Sequence, residues 1–152
     1  MASVIKVMSG SCLPKPLGES VGEVIDPYVI IRLHDVDVEK SRSLGKSLAK
    51  RTTSGQTDWL KTEEWKTKAI QDNGFSCKWN ESDYFSFDVN NTEVAMLEVI
   101  VMDSDAGFLD DTMCKTSIPV SCLRQGIRSV QFYDQCSRQY GPFLMSRLLV
   151  DV

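Results

Sequence analysis

The sequence predicts an all-β domain, an antiparallel sandwich of eight strands. Short segments rich in Val, Ile, Phe and Tyr recur between clusters of turn-forming residues, and no stretch longer than about a dozen residues keeps a helical hydrophobic period. Short strands separated by turn signals are typical of such sandwiches. We expect strands near residues 4–9, 28–34, 64–70, 84–89, 95–102, 112–118, 129–133 and 143–150.

The turns between these strands carry signals with known mechanisms. Proline restricts the residue before it, so Asp26-Pro27 and Ile118-Pro119 each indicate a break in regular structure. Asn73-Gly74 supplies a left-handed backbone position, and Gly141-Pro142 is expected to open the last strand. These signals separate the predicted strands without a helix between them.

One stretch, about residues 36–62, does not fit the strand pattern. It is polar, Ser-rich and basic and shows no β alternation. Long irregular segments are uncommon in compact domains. We interpret it as a long loop inserted between the second and third strands.

Composition indicates one globular domain over residues 1–152. The chain is 42% hydrophobic and 25% charged, without a membrane span or a signal-peptide pattern. Five widely spaced cysteines imply neither a disulfide framework nor a zinc site. We expect a cytoplasmic domain, and the strands close to both ends suggest that it was excised from a larger protein.

An acidic segment follows the apolar strand that ends at Met102. Four carboxylates surround two hydrophobic residues in Asp103-Ser104-Asp105-Ala106-Gly107-Phe108-Leu109-Asp110-Asp111. Two like charges about 4 Å apart repel by roughly 4 kcal/mol at an effective dielectric near 20. A hard divalent cation would reverse that cost, and the flexible geometry of Ca²⁺ suits a loop. The alternative is a solvated Asp-rich turn, and the residues alone leave both open.

A basic segment lies elsewhere in the chain. The net charge is −4, but residues 40–68 hold eight Lys or Arg against three acids. The acidic total argues against nucleic-acid binding, whereas the basic segment leaves room for an anionic surface. Lys66 and Lys68 would share one face of a strand and could contact anionic lipid, with Trp65 facing the core. A solvated face is the more common role of such a cluster.

Several motifs together resemble one family. They are Leu13-Pro14-Lys15-Pro16, Asp26-Pro27-Tyr28-Val29, Asp72-Asn73-Gly74-Phe75 with Trp79-Asn80-Glu81, Asp103-Ser104-Asp105, and Cys122-Leu123-Arg124-Gln125-Gly126-Ile127-Arg128 after Ile118-Pro119. This combination resembles the C2 domain of phosphoinositide-specific phospholipase C. The similarity covers nearly the whole chain except residues 36–62 and about 134–141.

The resemblance implies an eight-stranded sandwich of the type II topology, with three loops at one end that bind calcium and then phospholipid. Carried over by position, the implied metal ligands are the carbonyl of Val24 and the side chains of Asp26, Asp72, Asp103, Asp105 and Asp111. Ile25, Phe108 and Leu109 are the implied membrane contacts. For Phe108 and Leu109, folding back into the core is the alternative.

The chain also departs from the family pattern. Many calcium-dependent C2 domains have a further acid about six residues before the Asp-Pro pair, where this chain has Ser20. Glu19 or Glu23 could compensate. The site could therefore bind fewer ions, or bind them more weakly, than a fully acidic one.

The leading interpretation is a calcium-dependent module, monomeric and reversibly peripheral to anionic phospholipid membranes, that targets an attached phospholipase. The alternative is a calcium-independent scaffold that packs against the catalytic domain of the parent enzyme. His34 is the only histidine, and the sequence shows no nucleophile–base set or phosphate loop. We therefore expect no catalysis by this chain.

Overall fold

Two antiparallel sheets pack face to face around one hydrophobic core. A computed structural model of the chain describes residues 2–15, 24–37, 60–79, 84–105, 109–134 and 136–152. The predicted all-β sandwich is confirmed, and each of the eight predicted strands has a counterpart. In the described residues, no helix is long and apolar enough to cross a membrane.

The first sheet is built around the N-terminal strand. Its members are β1 (Ala2–Ser11), β4 (Ser76–Lys78), β5 (Phe85–Asp88), β8 (Ile127–Gln131) and β9 (Arg147–Asp151). β9 lies between β1 and β8. β4 pairs with the end of β1 and β5 with its beginning. β4 and β5 thus follow one another along the same partner, so the nine strands of the described residues occupy eight positions.

The second sheet has the order β3-β2-β6-β7. Its strands are β2 (Pro27–Val36), β3 (Leu60–Lys66), β6 (Met96–Asp103) and β7 (Asp111–Pro119). All three pairings are antiparallel. A 3₁₀ turn over Val120–Cys122 leads from β7 towards β8 in the other sheet.

The core is formed by side chains that alternate along the strands. Val29, Ile31 and Leu33 on β2 are fully buried, in a cluster that also holds inward-facing residues of the first sheet. Arg32 and His34 lie on the opposite face of the strand and are half-buried. A second, small hydrophobic cluster covers part of that outer face, so burial alternates with a period of two only along the second half of β2.

Two of the tryptophans are packing residues, and the sequence predicted this for Trp65. Trp65 packs against the core and its ring stacks with Phe85 at 6.5 Å between centroids. Trp79 is buried, and its indole N–H donates to the carbonyl of Lys68 at 2.9 Å. Its polar atom is therefore satisfied inside the core.

Several predicted boundaries were wrong. β3 covers Leu60–Lys66, so Val36 and residues 60–62 belong to strands rather than to the insertion. Residues 38–59 lie outside the described part of the chain. β9 begins only at Arg147, because residues 141–144 form a 3₁₀ turn in which the carbonyl of Pro142 accepts bonds from Met145 and Ser146. β4, with three residues, is too short to show an alternation in the sequence.

All five cysteines are free thiols. Cys77 and Cys114 are buried. Burial raises the pKa of the Cys77 thiol to about 11 and raises that of Cys114 further. Both are therefore protonated at neutral pH and act as small core residues.

Candidate functional site

Three loops meet at one end of the sandwich. In the second sheet, Pro27 at the start of β2 lies opposite Asp103 at the end of β6, and Asp103 lies opposite Asp111 at the start of β7. The loop between β3 and β4 joins them, because Ile70 donates its backbone N–H to the carbonyl of Pro27. Antiparallel pairing therefore gathers acids that lie far apart in sequence.

A chain of hydrogen bonds links one aspartate from each loop. The backbone N–H of Asp72 donates to Oδ1 of Asp26 at 2.7 Å, and the N–H of Asp26 donates to Oδ1 of Asp103 at 2.7 Å. Asp72 adopts a left-handed backbone conformation, with φ of 53°, which Asp tolerates better than most residues. The carboxylates of Asp26 and Asp103 thus tie the three loops together through charge-assisted bonds.

Asp110 organises the third loop, although the sequence analysis did not choose it as a site residue. Its Oδ2 accepts the Tyr28 hydroxyl at 2.7 Å, and its Oδ1 accepts the N–H of Asp105 at 3.3 Å. Burial, and then this bond to Asp110, raise the pKa of Tyr28 to about 12. The available signal was the tyrosine of Asp-Pro-Tyr, whose hydroxyl can reach a neighbouring loop.

The candidate ligands have the right chemistry for a hard cation, but too few of them lie close together to surround one. Every candidate ligand is an oxygen, which is the preference of Ca²⁺. Within the described ranges, however, no three acidic, histidine or cysteine side chains lie close enough to hold a metal. Asp26 and Asp103 each commit one oxygen to a backbone N–H. The described residues do not include Ser20, which replaces the family's further acid, or its neighbours Glu19 and Glu23.

The remaining predicted ligands are spread over the surface of this end. Val24 is half exposed, Asp105 is half-buried, and Asp72 and Asp111 are exposed. The structure brings Asp26, Asp72 and Asp103 into one hydrogen-bonded chain and places Asp111 across from Asp103.

The predicted membrane contacts divide into different environments. Leu109 is 91% exposed, and Phe108 lies outside the described residues. The prediction that Ile25 contacts the membrane was wrong, because its side chain is only 6% exposed and belongs to the core cluster. Its side chain lies directly over Gly74, where a Cβ would come within 2.1 Å of Ile25 Cδ1.

Phe75 is an exposed hydrophobic residue that the sequence analysis did not select as a membrane contact. It is 78% exposed and lies in the same loop as Asp72. The Asn73-Gly74 turn before it was the signal, since a turn can carry the following side chain outward. Phe75 and Leu109 are therefore the strongly exposed hydrophobic residues described in these acidic loops.

The outer face of the second sheet balances its charges. Arg32 contacts Glu64 at 2.6 Å and Glu98 at 3.6 Å, and Lys66 contacts Glu64 at 3.4 Å. The hydrogen bond from Arg32 lowers the pKa of Glu64. Lys66 faces outward opposite Trp65, as predicted, but β3 ends there, so Lys68 does not continue the strand alternation. This face is less cationic than the lysines suggest.

Comparison with known proteins decides the family. A family model described as the C2 domain matches residues 57–135, which is more than half of the chain. The chain belongs to the C2 domain family. C2 domains are non-catalytic modules that bind membranes and lipids, and they commonly bind Ca²⁺. The prediction that this chain is not itself an enzyme therefore agrees with its family.

Curated relatives of this C2 domain are phospholipase C-like. Over 131 residues, 86% of the chain, it is 33% identical to "Inactive phospholipase C-like protein 1" of Homo sapiens, covering 10% of that protein. Over 139 residues, 91% of the chain, it is 28% identical to "1-phosphatidylinositol 4,5-bisphosphate phosphodiesterase delta-4" of Pongo abelii, covering 15% of that protein. The chain thus spans only a small part of the curated relatives it matches.

Among solved structures, the fold is similar to that of PLC21 from S. officinalis. The TM-score is 0.64 at 18% identity, covering 99% of this C2 domain and 15% of the other chain. At that identity the likeness supports the fold alone. The predicted resemblance to phospholipase C C2 domains is confirmed by the family match and the curated relatives.

Proposed function

We propose that this C2 domain is the membrane-targeting module of a phosphoinositide-specific phospholipase C or a related protein, and that its acidic loop end responds to calcium. The observation that carries the proposal is the junction of three loops through Asp26, Asp72 and Asp103, beside exposed Phe75 and Leu109. The parent protein would place the module in the cytoplasm, reversibly peripheral to anionic membranes.

The residues that would hold Ca²⁺ are Asp26, Asp72, Asp103, Asp105 and Asp111, with the carbonyl of Val24. A bound ion would supply positive charge that both carboxylates and lipid phosphate can share. In its absence these loops carry a concentration of negative charge that disfavours an anionic leaflet. The proposed response is therefore electrostatic, because neutralisation of the loops removes the repulsion.

The exposed hydrophobic side chains supply the second part of the interaction. Burial of a Phe or Leu side chain contributes about 1.5–3 kcal/mol, which gives weak and reversible attachment for two residues. Lys66 and Lys68 remain candidates for contact with anionic lipid, although Lys66 already has Glu64 as a neighbour.

The calcium-independent scaffold remains a second candidate, favoured by a specific observation. Asp26 and Asp103 already accept backbone N–H bonds, and the described residues hold no group of three potential metal ligands. These carboxylates can therefore stabilise the loops without an ion. In this role the domain would pack against the catalytic domain of its parent protein.

Vesicle co-sedimentation separates the two candidates. We expect the chain to pellet with phosphatidylserine–phosphatidylcholine vesicles in calcium and to stay in the supernatant with EDTA. Asp103→Asn, which keeps the shape and one acceptor oxygen, should weaken the calcium response. Asp151→Asn, an exposed change of the same charge on β9, is the control. Equal sedimentation with calcium and EDTA would favour the scaffold.

A further inference from the structure

A cavity of about 310 Å³ opens between the two sheets, beside the strands β7 and β8. In the part of the chain that the structure describes, each is the last strand of its sheet and has one partner strand. In the described part of the chain, Lys115 and Tyr133 exchange backbone hydrogen bonds and join the two edges at one point. The cavity lies next to this bridge, at Thr116 and Ile118.

The inner walls of this cavity are apolar and belong to the core. They are formed by the buried side chains of Ile5, Ile31, Leu97, Val99 and Val150. These walls come from both sheets, so the cavity reaches into the sandwich. Small-molecule sites are commonly apolar clefts of about 300–1,000 Å³ with a few polar groups at fixed positions. The cavity is at the lower end of that range, which suits a single alkyl chain.

Two arginines mark the solvent side of the cavity. Arg124 and Arg128 line it and are both exposed. The Arg128 guanidinium donates to the backbone carbonyls of Gln125 at 2.6 Å and Ile127 at 3.2 Å. Among the described residues, no acidic side chain forms an ion pair with either arginine. Two positive charges therefore stand beside an apolar cavity, and no acid in the described ranges pairs with them.

We propose that this cavity binds a single-chain anionic amphiphile, an alkyl carboxylate, with its chain between the sheets and its head group at Arg124 and Arg128. An arginine recognises a carboxylate through charge-assisted hydrogen bonds, while the core residues exclude water from the chain. Among the described residues of the acidic loops, none lines this cavity. The site is therefore independent of the proposed calcium response.

Two exposed cysteines allow a direct test. Cys122 lines the cavity, whereas Cys136 does not and serves as an internal control. The rate of maleimide alkylation at each thiol would be measured by peptide mass spectrometry. The added compound would be sodium decanoate, 1-decanol or decyltrimethylammonium, each at concentrations below those at which it aggregates. We expect decanoate to slow the reaction of Cys122 and leave that of Cys136 unchanged. The neutral and cationic compounds should need concentrations on the order of tenfold higher.

Matched variants test the residues. The double change Arg124→Gln/Arg128→Gln should raise the decanoate concentration for half protection on the order of tenfold. Lys6→Gln/Lys78→Gln removes the same charge outside the cavity and should have no effect. Thr116→Trp, at a half-buried position in the cavity wall, should abolish the protection of Cys122. If this variant does not fold, the double arginine variant, whose changes are at exposed positions, provides the test.

Three results would overturn the proposal. They are absence of protection by decanoate, equal protection by all three decyl compounds, and unchanged protection after removal of both arginines. Each can occur whether or not the domain sediments with vesicles in calcium.

Discussion

Buried aspartates hold the loops of this domain in place. Asp35, Asp103 and Asp134 are the buried acids in the described part of the chain. Asp35 and Asp103 accept backbone N–H groups of other segments, and Asp134 accepts those of its own turn. Asp35 binds the N–H groups of Val36, Asn90 and Asn91 at the edge of β2. These hydrogen bonds satisfy the carboxylate oxygens inside the protein without a metal. Asp103 therefore has a structural role whether or not calcium also binds.

The hydrogen bond between Tyr28 and Asp110 predicts that the free energy of unfolding depends on pH. The Tyr28 pKa is raised from 10.0 to about 12, so the folded state keeps its proton at a pH where the unfolded chain loses it. The stabilisation is complete below pH 10 and is lost as pH rises from about 10 to about 12. Tyr28→Phe should cost about 1 kcal/mol at pH 7 and progressively less across that window.

Urea denaturation of the wild type and Tyr28→Phe at a series of pH values would measure this difference. Tyr84→Phe, at an exposed tyrosine, corrects for general alkaline effects. A difference between wild type and Tyr28→Phe that stays constant from pH 9 to 12 would contradict the assignment.

At the scale of elements, a close contact between Ile25 and Gly74 adds to the hydrogen bonds that join the first and second loops. Ile25 lies over Gly74, and the N–H of Asn73 donates to the carbonyl of Ile25. A glycine is needed there because any Cβ would overlap the isoleucine side chain. This contact takes Ile25 away from the membrane surface and positions Asp72 beside Asp26.

Gly74→Ala is therefore expected to destabilise the domain by about 1–3 kcal/mol through overpacking. Ile25→Ala should also destabilise, because it leaves a cavity. The double variant should lose less stability than the sum of the two, since the smaller side chain makes room for the new methyl group. Chemical denaturation of the wild type, both single variants and the double variant provides a double-mutant cycle. If the two losses in free energy of unfolding simply add, the result would argue against the contact.

At the scale of the whole molecule, three surfaces differ in their charge and in their exposed hydrophobic side chains. The acidic loops carry Phe75 and Leu109, the outer face of the second sheet pairs Arg32 and Lys66 with glutamates, and the β7–β8 side carries two exposed arginines. A domain with net charge −4 can therefore present several distinct surfaces.

Vesicle affinity should depend on the loop hydrophobes. Phe75→Ala and Leu109→Ala should each weaken calcium-dependent binding on the order of tenfold or more, which corresponds to about 1.5–3 kcal/mol per side chain. Neither change should alter stability greatly, because both side chains are exposed in the free protein. Leu144→Ala, at an exposed leucine outside these loops, is the control. Equal binding by all variants would place the membrane surface elsewhere.

The candidate site shows where sequence reasoning reached its limit. The acids at residues 26, 72 and 103 could be chosen from motifs, but the hydrogen bonds that link them depend on three segments packed together. Asp110 was missed because its partner, Tyr28, is distant in sequence. Ile25 was misassigned because its environment is set by Gly74 in another loop.

Local residue patterns were enough to predict the class of fold. Alternation of apolar and polar residues is a local property, so β2 and β6 and the buried side of β3 could be recognised from their own residues. Three-dimensional packing was needed to learn which loops the aspartates join, which hydrophobic side chains remain exposed, and which cations are paired. These depend on contacts between distant segments, whose free energies come from packing and desolvation that a single strand does not encode.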